Sequence, residues 1–171
     1  MTTPILGIVA HSGSGKTTLL KQLIPYLRDR QIRVGLIKHS HHSVDIDTPG
    51  KDSYELRKAG ADQTMVASSN RWALMTETPE AEELDLHFLA SRFDDSTLDL
   101  ILVEGFKREK IAKIALFRAA SGREIDDILD DFVIAIATDT FFKWSVPLLD
   151  LNNIAEIGEF IVNWLSDRSS S

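Results

Sequence analysis

Residues 9–20 read VAHSGSGKTTLL. An apolar run, Ile5 to Ala10, feeds into a short Ser/Gly loop, which delivers Lys16, Thr17 and Thr18 to the start of an amphipathic stretch. Each part has a physical use. Gly13, Ser14 and Gly15 expose backbone, so successive N–H groups can turn inward around an anion. A helix starting at Lys16 adds its positive end. Lys16 supplies a cation that reaches β- and γ-phosphates, Thr17 a hydroxyl for Mg²⁺, and Thr18 a donor to an α-phosphate. AHSGSGKT therefore reads as a phosphate-binding P-loop that opens with Ala10 in place of the usual Gly. A highly charged nucleotide triphosphate is the expected ligand, with the base undetermined by this loop.

Working outward, apolar runs alternate with amphipathic segments. Strands are expected at 4–10, 32–38, 62–67, 71–76, 98–103, 111–117 and 132–137. Helices are expected at 16–30, 51–59 (stopped by Gly60), from Pro79 to about Ser91, and at 153–166. Pro25 should kink the first helix or limit its regularity, and the acidic EAEELD run should open the third. The expected fold class is α/β: a P-loop NTPase-like, mainly parallel sheet with helices on both faces. One domain is expected over 1–168, with a frayed tail at 169–171.

The chain has 171 residues, no cysteine and a formal net charge of -7. Disulfides, thiolate metal sites and cysteine nucleophiles are excluded. The acidic balance argues against nucleic acid as a partner. No secretory leader or membrane span is expected, so a cytoplasmic location is.

In open parallel sheets, ligands bind outside the carboxyl ends of the strands. After 98–103 comes Glu104-Gly105, with the apolar-strand-then-acid form of a Walker B element; Glu104 is expected to hold Mg²⁺ through water or to orient an attacking water. At and after the end of 32–38 come Lys38, His39, His41 and His42, then Asp45 and Asp47. These side chains could contact phosphates or ligate a transition metal, and Asp45 or Asp47 could serve as an outer Mg²⁺ ligand. Lys107, Arg108, Lys110 and Lys113 form a basic cluster suited either to a phosphorylated ligand or to a solvated strand edge. After 132–137 comes Asp139, a carboxylate that could accept from guanine N1–H and the 2-amino group, although the full Asn-Lys-x-Asp motif is missing.

Taken together, SGSGKTTLLKQLIP, GLIKHSHH, DTPGKDSYELRKAGA, RWALMTETP and LDLILVEGFK resemble the MobB family, the molybdopterin-guanine dinucleotide biosynthesis adapter proteins, from residue 4 to about 165. The resemblance implies a P-loop fold, GTP binding with weak hydrolysis, and a homodimer. It also implies a partner, the guanylyltransferase MobA that joins GMP to molybdopterin, with molybdopterin as a further candidate ligand. Carried over, the phosphate roles fall on Gly13, Gly15, Lys16, Thr17 and Thr18, and the Walker B role on Glu104. No arginine finger and no water-orienting Gln is legible, so unassisted hydrolysis should be slow. A metallochaperone NTPase using the His-rich loop, a small-molecule kinase and a non-enzymatic GTP-bound scaffold are the competing readings.

Overall fold

The computed structural model describes residues 2–40, 44–79 and 83–169. In chain order the elements are β1 (Ile5–Ala10), α1 (Lys16–Asp29), β2 (Val34–Lys38), α2 (Asp52–Lys58), β3 (Gln63–Ala67), β4 (Trp72–Thr76), α3 (Leu86–Ala90), β5 (Leu100–Glu104), β6 (Lys113–Phe117), β7 (Val133–Thr138), β8 (Leu148–Asp150) and α4 (Ile154–Ser169). Short 3-10 turns at Ala119–Ser121 and Ile125–Ile128 lie between β6 and β7. The chain divides into two compact units: Met1–His39 with Asp85–Ser171, and Ser40–Leu84.

The first unit is built on a six-stranded sheet, order β2-β5-β1-β6-β7-β8, in which every pairing is parallel. Because both faces are covered, its strands are apolar on both sides. Leu6, Ile8 and Ala10 of β1 join Leu19, Leu20, Leu23 and Leu27 of α1 and Ile157 and Ile161 of α4 in one core. Burying a side chain of this size contributes roughly 1.5–3 kcal/mol. Val9 packs the other way, against Ala115, Ile128, Val133 and Ile136. Leu86 and Ala90 of α3 cover Ile37, Ile101 and Val103. The chain leaves β1 toward β2 on one side and leaves β5 toward β6 on the other. The topological switch thus lies between β1 and β5, where such folds open a crevice at the strand ends.

The β5–β6 connection crosses over β1 without a helix, and Gly7 makes the crossing possible. Its N–H donates to Ala112 O at 2.8 Å. A Cβ there would lie 3.0 Å from Lys113 Cγ and 3.3 Å from Ile111 Cδ1.

The second unit holds α2 and the antiparallel hairpin β3–β4, in which Thr64 pairs with Met75 and Val66 with Ala73. The expected Ser68-Ser69-Asn70 connection is a tight turn, Ser68 N donating to Arg71 O at 2.8 Å. Arg57 organises this unit: its guanidinium donates to Asp45 (2.7 Å), Asp47 (2.8 Å) and Glu77 (3.1 Å).

Two elements differ from expectation. The third helix spans only Leu86–Ala90, because the Asp85 carboxylate accepts from Phe88 N at 2.9 Å and fixes the start there. Glu83 and Leu84 precede the helix, and residues 80–82 of the acidic run lie outside the described residues. β8 was not anticipated; it is three residues long and directly follows Pro147. α1 contains Pro25 within the helix expected over 16–30. At the other end of the chain α4 extends to Ser169, and positions 170–171 of the expected tail lie outside the described residues. No described helix is long and apolar enough to cross a membrane.

Candidate functional site: a phosphate loop at the strand ends

The end of β1 passes directly into residues 11–15. Ala10 is the last residue of the strand, so its backbone is extended and Ala costs nothing where the motif usually has Gly. The left-handed positions fall instead on Gly13 (φ +80°) and Gly15 (φ +91°), where L side chains are strained. Ser14 N donates to His11 O at 3.2 Å and closes the bend. Gly15 is the N-cap of α1, and no side chain caps the helix. The N-terminal donors of α1 are thus left for a ligand or water.

Lys16 opens α1 and is half-buried. Burial pulls its pKa below the ordinary lysine value, while Glu104 opposes that shift; Lys107 and Lys38 add to it. Glu104, Lys107 and Lys38 therefore all lie within electrostatic reach of Lys16. Glu104 ends β5, in register with Ile8 of β1 and Lys38 of β2. Its carboxylate is 13% exposed and stands 3.7 Å from Lys38 Nζ. Thr17 and Thr18 are exposed on the first turn of α1. Gly105 adopts φ +103°, and a Cβ there would lie 2.9 Å from His39 Cβ. The close approach of β2's end to β5's end therefore demands glycine.

Asp139 follows β7. Its Oδ1 accepts from Ala119 N at 3.0 Å, and its Oδ2 stands 3.6 Å from Arg118 Nη1. Asp45 belongs to the second unit, where Arg57 and Lys58 (3.9 Å) engage its Oδ1. Asp47 Oδ1 is held by the same guanidinium. His39 donates its backbone N–H to Glu104 O at 2.8 Å and sets its ring 5.0 Å from that of Phe106. His41 and His42 lie outside the described residues. Among the described residues no group of three or more His, Asp or Glu side chains is placed to hold a metal ion.

The basic cluster is split. Lys107, Arg108 and Lys110 are exposed after β5. Lys113 is fully buried, donating to Lys107 O at 2.8 Å and pairing with Asp130. It holds the crossover in place and is not available to an external phosphate. Two residues near the loop escaped sequence reasoning. Arg118 Nε donates to Ser14 O at 3.3 Å, and buried His11 bonds Glu124 O through Nε2 at 2.9 Å. Their contacts span more than a hundred positions, which no local pattern reveals.

A glycine-shaped bend after a central strand, an uncapped helix start, a half-buried lysine and a strand-end acid define a P-loop NTPase-like α/β protein. The model of the MobB family, molybdopterin guanine dinucleotide synthesis protein B, matches residues 5–139. The molybdopterin-guanine dinucleotide biosynthesis adapter protein of Escherichia coli K12 is 60% identical over 167 residues, covering 97% of this chain and 95% of that protein. The Haemophilus influenzae protein of the same name is 50% identical, covering 95% and 89%. A crystal structure of molybdopterin-guanine biosynthesis protein B superposes with a TM-score of 0.78 at 28% identity, over 95% of this chain and 99% of that one. The chain belongs to the MobB family.

Proposed function

We propose that the protein is a GTP-binding adapter in molybdopterin guanine dinucleotide biosynthesis, assisting the guanylyltransferase MobA that attaches GMP to molybdopterin. The family and its relatives' names support the biosynthetic role. One observation carries the nucleotide: Lys16 stands at the uncapped start of α1, behind two left-handed glycines and within electrostatic reach of Glu104. The bend's N–H groups and Lys16 hold the β- and γ-phosphates, and Thr18 donates to the α-phosphate. Thr17 and Glu104 hold Mg²⁺, which would offset charge on the phosphate oxygens. Asp45 is engaged by Arg57 and Lys58 within its own unit and is not part of that set. Asp139 reads guanine with the lone pairs that Ala119 and Arg118 leave available. Slow hydrolysis fits a site in which GTP acts as a bound signal for partner geometry, in the cytoplasm, with molybdopterin as a further candidate ligand.

The protein acts as a homodimer in this reading. The β3–β4 hairpin supports it: Met65, Val66, Trp72 and Leu74 are all exposed, and an isolated two-stranded sheet is marginal in water. Sedimentation velocity is expected to give a dimer; a monomer at micromolar concentration would remove that part.

The functional test is a competition series, GTP against ATP, with and without Mg²⁺. GTP should displace a bound fluorescent guanine nucleotide far better than ATP, and Mg²⁺ should strengthen it. Equal competition would point to a generic ATP enzyme, such as the kinase reading.

A further inference from the structure

Arg118 has no part in the proposed role, yet it touches the phosphate loop. It follows directly on β6, and β6 lies beside β1 in the sheet. Its Nε donates to Ser14 O at 3.3 Å. The guanidinium then runs past Gly15: a Cβ at that glycine would be 3.7 Å from Nη2 and 3.8 Å from Nε. Nη1 stands 3.6 Å from Asp139 Oδ2, and the other oxygen of that carboxylate accepts Ala119 N at 3.0 Å. One side chain therefore joins the loops that follow β1, β6 and β7.

The peptide bond gives that junction a consequence. In a trans peptide the carbonyl and the next N–H point in opposite directions, and no described peptide bond is cis. The Ser14 carbonyl is held toward Arg118, so the Gly15 N–H is aimed the other way. That N–H belongs to the row of donors expected to face the phosphates. Ser14 is only 5% exposed, so the carbonyl's partner inside the fold matters more than it would in open water.

We infer that Arg118 is a positioning residue: its grip on the Ser14 carbonyl orients the Gly15 N–H, and Asp139 holds the guanidinium for that task. The loop after β7 and the phosphate loop are then energetically coupled. Asp139 influences phosphate affinity even for a ligand with no base. The inference rests on the reading of residues 10–17 as a triphosphate site.

Mg²⁺–tripolyphosphate isolates the effect, since it has phosphates and nothing for Asp139 to read. Calorimetric titrations should compare the wild type with Arg118→Ala, Asp139→Ala, Asp139→Asn and the double Ala variant. Each single Ala change should weaken binding about five-fold, the scale of one partly exposed charge-assisted contact. The double variant should be no weaker than Arg118→Ala, because both changes remove the same contact. Asp139→Asn keeps an acceptor for Ala119 N and loses the charge that holds Arg118, so it too should weaken tripolyphosphate. Unchanged affinity in both Asp139 variants, or single losses that multiply in the double, would overturn the coupling alone. A folded wild type that binds neither tripolyphosphate nor Mg²⁺–GTP would overturn the coupling together with the nucleotide reading.

Discussion

At the scale of single residues, Lys113 shows how burial reassigns a charge. Its Nζ has one carbonyl and one carboxylate as partners, and its stem crosses β1 where only Gly7 leaves room. Asp130→Ala would leave a buried ammonium short of its counter-charge. The cost for a fully buried pair is about 3–5 kcal/mol; Asp130 is 36% exposed, so a loss nearer ~2 kcal/mol is expected. Lys113→Met removes the charge and keeps the volume, so it should cost less. Urea denaturation of the two variants checks the order, and a larger loss for Lys113→Met would contradict it. From the sequence this lysine looked like a member of a surface cluster, because charge spacing says nothing about which side of a strand faces the core. The phosphate loop was legible for the opposite reason. Its chemistry lies in consecutive residues, so Gly13, Gly15, Lys16 and Thr17 could be read without knowing the fold. Arg118 could not, since its partner Ser14 is brought near only by the pairing of β6 with β1.

At the scale of elements, α1 and α4 pack so closely that one position tolerates no side chain. A Cβ on Gly158 would sit 2.2 Å from Tyr26 Cε1 and 2.3 Å from its Cδ1. Tyr26 is fixed by its hydroxyl, which donates to Glu159 at 2.8 Å, and by Arg30, whose guanidinium lies 3.6 Å from the ring centroid. Helix propensity alone favours Ala over Gly by about 1 kcal/mol. The clash should outweigh it, giving Gly158→Ala a net loss of about 1–3 kcal/mol. A thermal melt settles the sign: a raised Tm would mean that propensity wins and the packing is loose. The elements of the main sheet were readable because strands covered on both faces must be continuously apolar, as Leu100 to Val103 are. α3 was over-extended because acidic residues before a helix resemble acidic residues in its first turn. Only the Asp85 hydrogen bond to Phe88 N separates the two. β8 escaped because three residues after a proline carry too little periodicity.

At the scale of the whole molecule, acid should weaken one unit in a recognisable way. The hydrogen bond from Arg57 holds the Asp47 carboxyl below the usual carboxylate range. A depressed folded pKa means stabilisation that is complete above the unfolded value, about 4, and is lost as pH falls through the folded value. Hydrogen exchange in β3 and β4 should therefore accelerate once pH drops below about 4, and Asp47→Asn should blunt that dependence. Protection of the hairpin that is the same at pH 5 and pH 3, after correction for intrinsic rates, would contradict it. The division into two units was not legible, because the residues 40–84 carry strand and helix signals of the same kind as the rest. The network that organises them is Arg57 with Asp45, Asp47 and Glu77, and its members are scattered through the segment. Asp45 and Asp47 looked like metal ligands because acids after a strand invite that reading; the guanidinium that engages them lies in a helix further along.

The most direct measurement is an isothermal titration of Mg²⁺–GTP into the folded wild type and into Lys16→Ala. Saturable heat in the wild type, with affinity lowered by an order of magnitude or more in the variant and a melting curve little changed, is the expected result. No saturation in the wild type, or equal affinity in both, would mean that the glycine bend and its lysine do not hold a nucleotide.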